Sequence, residues 1–147
     1  GGGGEGGAVG GEYSKYRNKF GTFYHPTIDV TFTYKKIRFP YESAIVDTGS
    51  DYIILPMDIA EVLGSEPDLD SEVKMNCACG GEFSSYTSRY PIEVIVDQDG
   101  FRSISWKTHV QFVDAKVTVL LGHRGFLERF DATFYGKNHT MKLIDKK

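Results

Sequence analysis

The 147-residue sequence has only two cysteines and no long apolar run, and each absence excludes a class of protein. Cys77 and Cys79 are separated by one residue, and a disulfide between such near neighbours would be strained, so the chain is not a secreted disulfide scaffold. No stretch approaches the roughly 18 apolar residues of a membrane helix, and the N-terminus shows no charged-then-apolar signal pattern. We therefore expect no membrane partner and a cytoplasmic location.

An excess of positive charge is also missing. The chain has 17 Lys and Arg against 20 Asp and Glu, a formal net charge of −3. Proteins that bind nucleic acid usually present a basic surface, so we expect no nucleic-acid partner. What the sequence does contain is many aromatic residues, 10 Phe and 9 Tyr, and this composition favours β-strands.

The chain divides near residue 11. Residues 1–11 are almost all glycine, and such a stretch cannot bury apolar area, so it is predicted to be a flexible tail or an expression remnant. Residues 12–147 are predicted to form a single domain.

Short apolar runs and alternating patterns predict an all-β domain. Pro56 and Gly64 are placed to start and stop one short helix, and a second helical stretch of two turns is predicted at residues 123–130. About nine strands complete the prediction, which favours a closed or nearly closed barrel. The eleven apolar or alternating runs from which these strands are predicted lie within residues 28–34, 37–39, 44–46, 52–55, 73–77, 83–90, 92–96, 104–112, 117–121, 132–135 and 140–144.

A carboxylate stands between two of these apolar runs, in the stretch SAIVDTGSDYIILP at residues 43–56. Burying Asp47 would be costly unless it is paired or hydrogen-bonded. Two interpretations are open. Asp47 could cap a turn by bonding its own backbone, with Gly49 at a positive φ, or the fold could hold it in place for a reaction.

Three features occur in an order that points beyond a simple turn. Asp47-Thr48-Gly49 lies between apolar strands, a glycine-tipped hairpin follows about thirty residues later, and Val119-Leu120-Leu121-Gly122 leads into the second predicted helix. This order resembles the retropepsin-like aspartic proteases over about residues 28–144. The final stretch, LLGHRGFLERFDATFYGKNHTMKL, is similar to the end of the bacterial branch of that family.

The resemblance implies both a fold and an activity. The fold would be a retropepsin-like barrel with a flap hairpin, and the activity that of an aspartic endopeptidase acting on extended polypeptides, with no cofactor. Two carboxylates share one proton in this chemistry, one acting as general base on water and the other as acid. Because the chain has only one Asp-Thr-Gly, the pair would be Asp47 from each subunit of a symmetric homodimer. The alternative is a catalytically weak or inactive module for dimerisation or peptide binding.

The resemblance also implies roles for the neighbours of Asp47. Thr48 would hydrogen-bond across the dimer axis, and Gly49 would lie where the backbone comes close to partner and substrate. Ser50 would donate to the outer carboxylate oxygen. Asp51 would bind the substrate backbone and pair with an arginine of the C-terminal motif. Ordinary turn chemistry remains an alternative for Ser50 and Asp51.

The flap would be the hairpin Cys77-Ala78-Cys79-Gly80-Gly81, whose backbone would bond a bound peptide; an ordinary exposed hairpin is the alternative. Its two cysteines are unusual for the family and also suggest a redox-sensitive flap as a hypothesis.

The C-terminal motif departs from the family pattern. Family members often have arginine directly after the motif glycine, whereas here His123 follows Gly122 and Arg124 comes second. This departure shifts the predicted pairing with Asp51 by one residue or removes it.

No metal site is expected. Cys77 and Cys79 would need two further ligands, and the candidates His109, His123 and His139 are scattered along the chain.

Overall fold

The computed structural model describes residues 7–76 and 81–145, which are built mainly of β-strands. Helix is scarce in this part of the chain: one α-helix, α1 (Met57–Leu63), and two 3₁₀ helices, Leu69–Ser71 and Leu127–Arg129. The strands are β1 (Ala8–Glu12), β2 (Ser14–Asn18), β3 (Gly21–His25), β4 (Thr27–Tyr34), β5 (Ile37–Val46), β6 (Ile53–Pro56), β7 (Val73–Asn76), β8 (Glu82–Thr87), β9 (Ile92–Val96), β10 (Ile104–Thr108), β11 (Gln111–Val113), β12 (Leu120–Leu121), β13 (Phe130–Tyr135) and β14 (Thr140–Asp145). The predicted all-β class is confirmed.

A single curled sheet carries most of the domain. Its nine strands run in the order β10-β9-β4-β5-β12-β6-β11-β8-β7, and a three-stranded sheet, β1-β14-β13, and the β2-β3 hairpin complete the fold. Most neighbouring strands are antiparallel, but β12 runs parallel to β5 and β11 runs parallel to β6. The core fills the inside of this curl, and its largest fully buried side chains include Phe32, Phe112, Phe126, Ile53, Leu55 and Leu121.

Strands β4 and β5 show how the apolar pattern sets the fold. Ile28, Val30 and Phe32 alternate along β4 and are all buried, as a half-buried strand requires. Burying each such side chain contributes roughly 1.5–3 kcal/mol. At the end of β5, Ala44 and Val46 are buried as well, so the sheet fixes the chain up to the residue before Asp47.

Helix α1 matches its predicted bounds. Pro56 precedes it in an extended conformation, and Gly64 ends it in the left-handed conformation with φ 69°. Ile59, Ala60 and Leu63 form its buried face. Within the described residues, no helix has the length and apolar character needed to cross a membrane.

The prediction of two helical turns at residues 123–130 is wrong. Residues 123–130 form only the short 3₁₀ turn at Leu127–Arg129. Gly125 has φ 93°, which interrupts a right-handed helix. The backbone bonds of this stretch are not those of an α-helix: the amides of Leu127 and Glu128 donate to the carbonyls five residues earlier, and that of Arg129 donates to Phe126.

Two strand predictions also need correction. The predicted long strand at residues 104–112 is two strands, because β10 pairs with β9 whereas β11 pairs with β6 and β8 elsewhere in the sheet. The predicted runs at residues 37–39 and 44–46 belong to one strand, β5. The sequence pattern shows which residues are apolar, but it does not show which strands pair with each other.

The prediction of a flexible tail over residues 1–11 is wrong for residues 8–11. These residues lie in β1, which pairs with β14, and Val9 is buried. Glycine serves a structural purpose here, because a Cβ on Gly10 would lie 2.4 Å from the Met141 carbonyl oxygen. The absence of a side chain lets the two backbones approach.

We expect Gly10→Ala to destabilise the domain. Gly10 has φ 124° and no room for a Cβ, so the substitution should cost about 1–3 kcal/mol, through overpacking and backbone strain. The melting temperature should then fall by about 2–4 °C for each kcal/mol. Gly7→Ala is the control, because a Cβ there makes only ordinary contact, 3.7 Å from the Arg102 carbonyl oxygen. Equal melting temperatures for the two variants would show that the β1 pairing adds nothing to stability.

Candidate active site

Asp47 lies in the loop between β5 and β6 and is held by its backbone. Its amide donates to the Leu121 carbonyl at 3.0 Å, and its carbonyl accepts from the Ser50 amide at 3.1 Å. The first bond ties the loop to β12, and the second closes a turn. Asp47 is half-buried, so its carboxylate is positioned by the sheet yet still open to water.

Only one oxygen of the Asp47 carboxylate accepts a hydrogen bond from a described residue. Oδ1 accepts from the Gly49 amide at 2.8 Å, which is the turn bond that the sequence allowed. No residue in the described part of the chain donates to Oδ2. Gly49 does not have the positive φ that the simple turn interpretation predicts; a Cβ there would lie 3.2 Å from Oδ1. Glycine at this position therefore leaves room for the carboxylate.

Gly122 joins the C-terminal motif to the Asp47 loop. Its amide donates to the Tyr52 carbonyl at 3.1 Å. A Cβ on Gly122 would lie 2.3 Å from the Ser50 carbonyl oxygen and 2.5 Å from that of Tyr52. With the bonds from the next two amides to Ser50 and Asp51, the two segments form a continuous backbone contact that requires glycine at this position.

His123 is a site residue, although the sequence suggested only a departure from the family pattern and a scattered metal-ligand candidate. Its Nε2 lies 2.6 Å from the Thr48 carbonyl oxygen. A carbonyl can only accept, so Nε2 carries the proton and donates. The signal was its position directly after Gly122, which places it against the Asp47 loop once the two segments meet.

The side chains of Ser50 and Asp51 differ from their predicted contacts. The Ser50 hydroxyl donates to the Tyr52 carbonyl at 2.9 Å, so it does not donate to Asp47 here. Asp51 and Arg124 meet through their backbones, and among the described residues their side chains form no ion pair. Thr48 is exposed, and its predicted bond across a dimer axis remains a prediction.

Two open grooves meet at Asp47. The first, which we call the apolar groove, has a volume of about 320 Å³, and Asp47 and Asp51 line it together with Ile54, Met75, Phe83, Val117 and Leu120. The second, of about 600 Å³, lies on the side of Thr48, His25 and Phe134. Asp47 lines both. Asp47 therefore borders both the apolar groove and a second open face of the same chain.

The β7-β8 hairpin borders the apolar groove. The two strands are antiparallel from Val73 opposite Ser85 to Asn76 opposite Glu82. Met75 and Phe83 face each other across the hairpin and both line the groove. The predicted flap residues Cys77, Ala78, Cys79 and Gly80 lie outside the described residues, and Gly81 is exposed at the start of the second arm.

A charged cluster holds the base of this hairpin. The Ser84 hydroxyl donates to Glu72 Oε2 at 2.6 Å, and the Lys74 ammonium lies 3.0 Å from the same oxygen. The Ser84 bond, and then the Lys74 ammonium, hold the pKa of Glu72 below its ordinary value. The paired carboxylate in turn raises the pKa of Lys74.

No metal cluster is found in the described residues, where no group of three or more His, Cys, Asp or Glu side chains could hold an ion.

We expect Gly122→Ala to destabilise the domain strongly, because the new methyl group would displace two backbone carbonyls. The cost should be about 1–3 kcal/mol or more, measured by urea unfolding. Gly136→Ala is the control, since a Cβ there meets nothing within 4 Å. An unfolding midpoint for Gly122→Ala equal to that of the control would contradict the tight contact between the two segments.

We expect Ser84→Ala to raise the pKa of Glu72 towards its ordinary value, because the largest cause of the lowered pKa is removed. A lowered pKa stabilises the folded chain above the ordinary pKa of Glu72, and this stabilisation is lost as the pH falls through the lowered value. A carbon-detected NMR titration of the carboxyl groups measures the change. Ser85→Ala should leave the Glu72 titration unchanged, because the Ser85 hydroxyl donates to Gln111 instead.

Comparison with solved structures identifies the fold. No protein-family model and no curated protein sequence matches the chain. The chain is similar to a retropepsin-like aspartic protease from Rickettsia conorii, at 22% identity and a TM-score of 0.56, over 93% of this chain and 97% of that one. It is also similar to EIAV protease complexed with the inhibitor HBY-793, at 18% identity and a TM-score of 0.42, over 67% of this chain and 82% of that one. The likeness to the Rickettsia protein spans nearly the whole chain and shows that the protein has the retropepsin-like all-β fold.

Proposed function

We propose that the protein is an aspartic endopeptidase whose catalytic pair consists of Asp47 from each of two chains. The observation that carries the proposal is the position of the Asp47 carboxylate. Asp47 borders both the apolar groove and a second open face, and no described residue bonds its Oδ2. A second Asp47 approaching from that face would complete a pair around a two-fold axis.

The chemistry follows from placing two carboxylates together. At about 3 Å both cannot stay ionised, so the pair holds one proton. The ionised member takes a proton from a water molecule, and the protonated member donates to the carbonyl oxygen of the scissile peptide bond. The water oxygen then bonds the carbonyl carbon, and the pair returns a proton to the departing amine. No cofactor enters this scheme.

The surroundings of Asp47 favour a peptide as the substrate. The apolar groove offers Ile54, Met75 and Phe83 to an apolar side chain next to the scissile bond. An extended chain lying there would run below the β7-β8 hairpin and bond it strand-fashion. Thr48, at the second face, would bond the partner loop and hold the two carboxylates in position.

The test replaces the carboxylate while keeping its shape. Asp47→Asn should abolish cleavage of a mixed peptide library, because an amide cannot act as the base, while sedimentation still shows a dimer. Asp58→Asn is the control, since Asp58 is exposed on α1 and lines neither groove at Asp47. Cleavage by wild type and control but not by Asp47→Asn would support the proposal.

The rate should also depend on pH in a bell-shaped way. Hydrolysis requires one proton on the pair of carboxyl groups. The rate should therefore fall at low pH, where both carboxyls are protonated, and at high pH, where both are ionised. The two limbs of this pH–rate profile reflect the protonation of the pair as a whole, not of one aspartate alone. If the wild-type protein binds peptides but cleaves none at any acidic or neutral pH, it is a binding module and the proposal is wrong.

A further inference from the structure

A third groove continues from the apolar groove past Tyr52. This polar groove has a volume of about 400 Å³, and it is lined by Tyr52, Thr87, Thr108, His109, Gln111 and Arg124. Tyr52 lines both grooves, so the two grooves adjoin at this residue. A parallel β-bridge between the backbones of Tyr52 and Arg124 holds the two residues side by side. A peptide that extends from Asp47 past Tyr52 therefore reaches Arg124.

Arg124 is the charged group that this groove offers. It is exposed, and no described residue that lines the groove carries a carboxylate. In the described part of the chain, no carboxylate forms an ion pair with its guanidinium. Within residues 7–76 and 81–145 its bonds are made by the backbone, through its amide to the Asp51 carbonyl and the β-bridge to Tyr52. The five guanidinium N–H donors remain available to a ligand.

Gln111, Thr87 and His109 of the lining are already hydrogen-bonded within the chain. The Gln111 amide donates to the Thr87 hydroxyl at 2.7 Å and accepts from Ser85 at 2.9 Å. His109 Nδ1 donates to the Ser88 carbonyl at 2.8 Å, which leaves Nε2 as its free ring nitrogen. These bonds hold the walls of the groove in place and leave the guanidinium as its strongest free donor.

We propose that the polar groove binds the side-chain carboxylate of a glutamate or aspartate in the substrate. This inference rests on the proposed peptidase function and adds a specificity to it. A guanidinium recognises a carboxylate through two parallel hydrogen bonds, which a neutral glutamine cannot match. In a two-fold dimer each protomer contributes one such groove, so the acidic preference occurs on both sides of the scissile bond.

The experiment measures discrimination between glutamate and glutamine. Pairs of peptides carry Glu or Gln at one position, from one to four residues on either side of the cleaved bond. The kcat/KM of the Glu peptide should exceed that of its Gln partner about tenfold at the position that reaches Arg124. The ratio should decrease at high salt, because the groove is open to solvent.

Variants test whether Arg124 causes the preference. In Arg124→Gln the ratio of the two kcat/KM values should fall towards one, whatever happens to the absolute rates. Arg38→Gln is the control, because Arg38 lies on β5 and lines none of the three grooves, and its ratio should match that of wild type. If Arg124→Gln does not fold, Thr108→Glu places a carboxylate in the same groove and should lower the ratio by repulsion.

The outcomes separate this inference from the proposed function. Cleavage with equal rates for Glu and Gln at every position overturns the acidic groove and leaves the peptidase standing. A preference that survives in Arg124→Gln also overturns it. If no peptide is cleaved, the peptidase proposal fails, and the groove is then tested by fluorescence anisotropy with the same labelled peptides. Equal binding of the Glu and Gln peptides would overturn it there too.

Discussion

The contact between Gly122 and the Asp47 loop is the constraint on which the rest of the site depends. Backbone carbonyls of Ser50 and Tyr52 would lie 2.3 and 2.5 Å from any Cβ at residue 122, so the contact exists only because glycine has none. Amides of residues 122–124 bond the carbonyls of this loop, and His123 adds a side-chain bond to Thr48. Since β5 and β12 hold the other end, Asp47 is fixed from both sides.

A rigid loop explains how the fold tolerates a half-buried carboxylate. The Gly49 amide bonds Oδ1, and water reaches the side chain, so the charge is not stranded in the core. The same arrangement leaves Oδ2 unbonded within the described residues. The turn interpretation and the catalytic interpretation of Asp47 are therefore compatible: the turn bond positions one oxygen, and the other remains available for chemistry.

Sequence patterns predicted the local elements well where local forces decide them. Pro56 and Gly64 bound α1 because proline cannot occupy a helix interior and glycine readily adopts the left-handed conformation that ends one. Prediction failed where distant partners decide. Residues 123–130 look helical, but the chain there is bonded along the Asp47 loop and turns at Gly125, whose φ is 93°. Gly10 looks disordered, but β14 provides its backbone neighbour.

The sequence by itself determined an all-β chain with one Asp-Thr-Gly loop between apolar strands, because strand periodicity and turn chemistry are local properties. Only the tertiary structure decided what the loop touches. It directed the Ser50 hydroxyl to Tyr52 rather than Asp47 and brought His123 to Thr48. It also placed Arg124 in the lining of the polar groove, with no ion pair to Asp51 among the described residues. These outcomes depend on how segments about seventy residues apart in sequence meet in space, as the separation of 75 between His123 and Thr48 shows. No local pattern encodes that meeting.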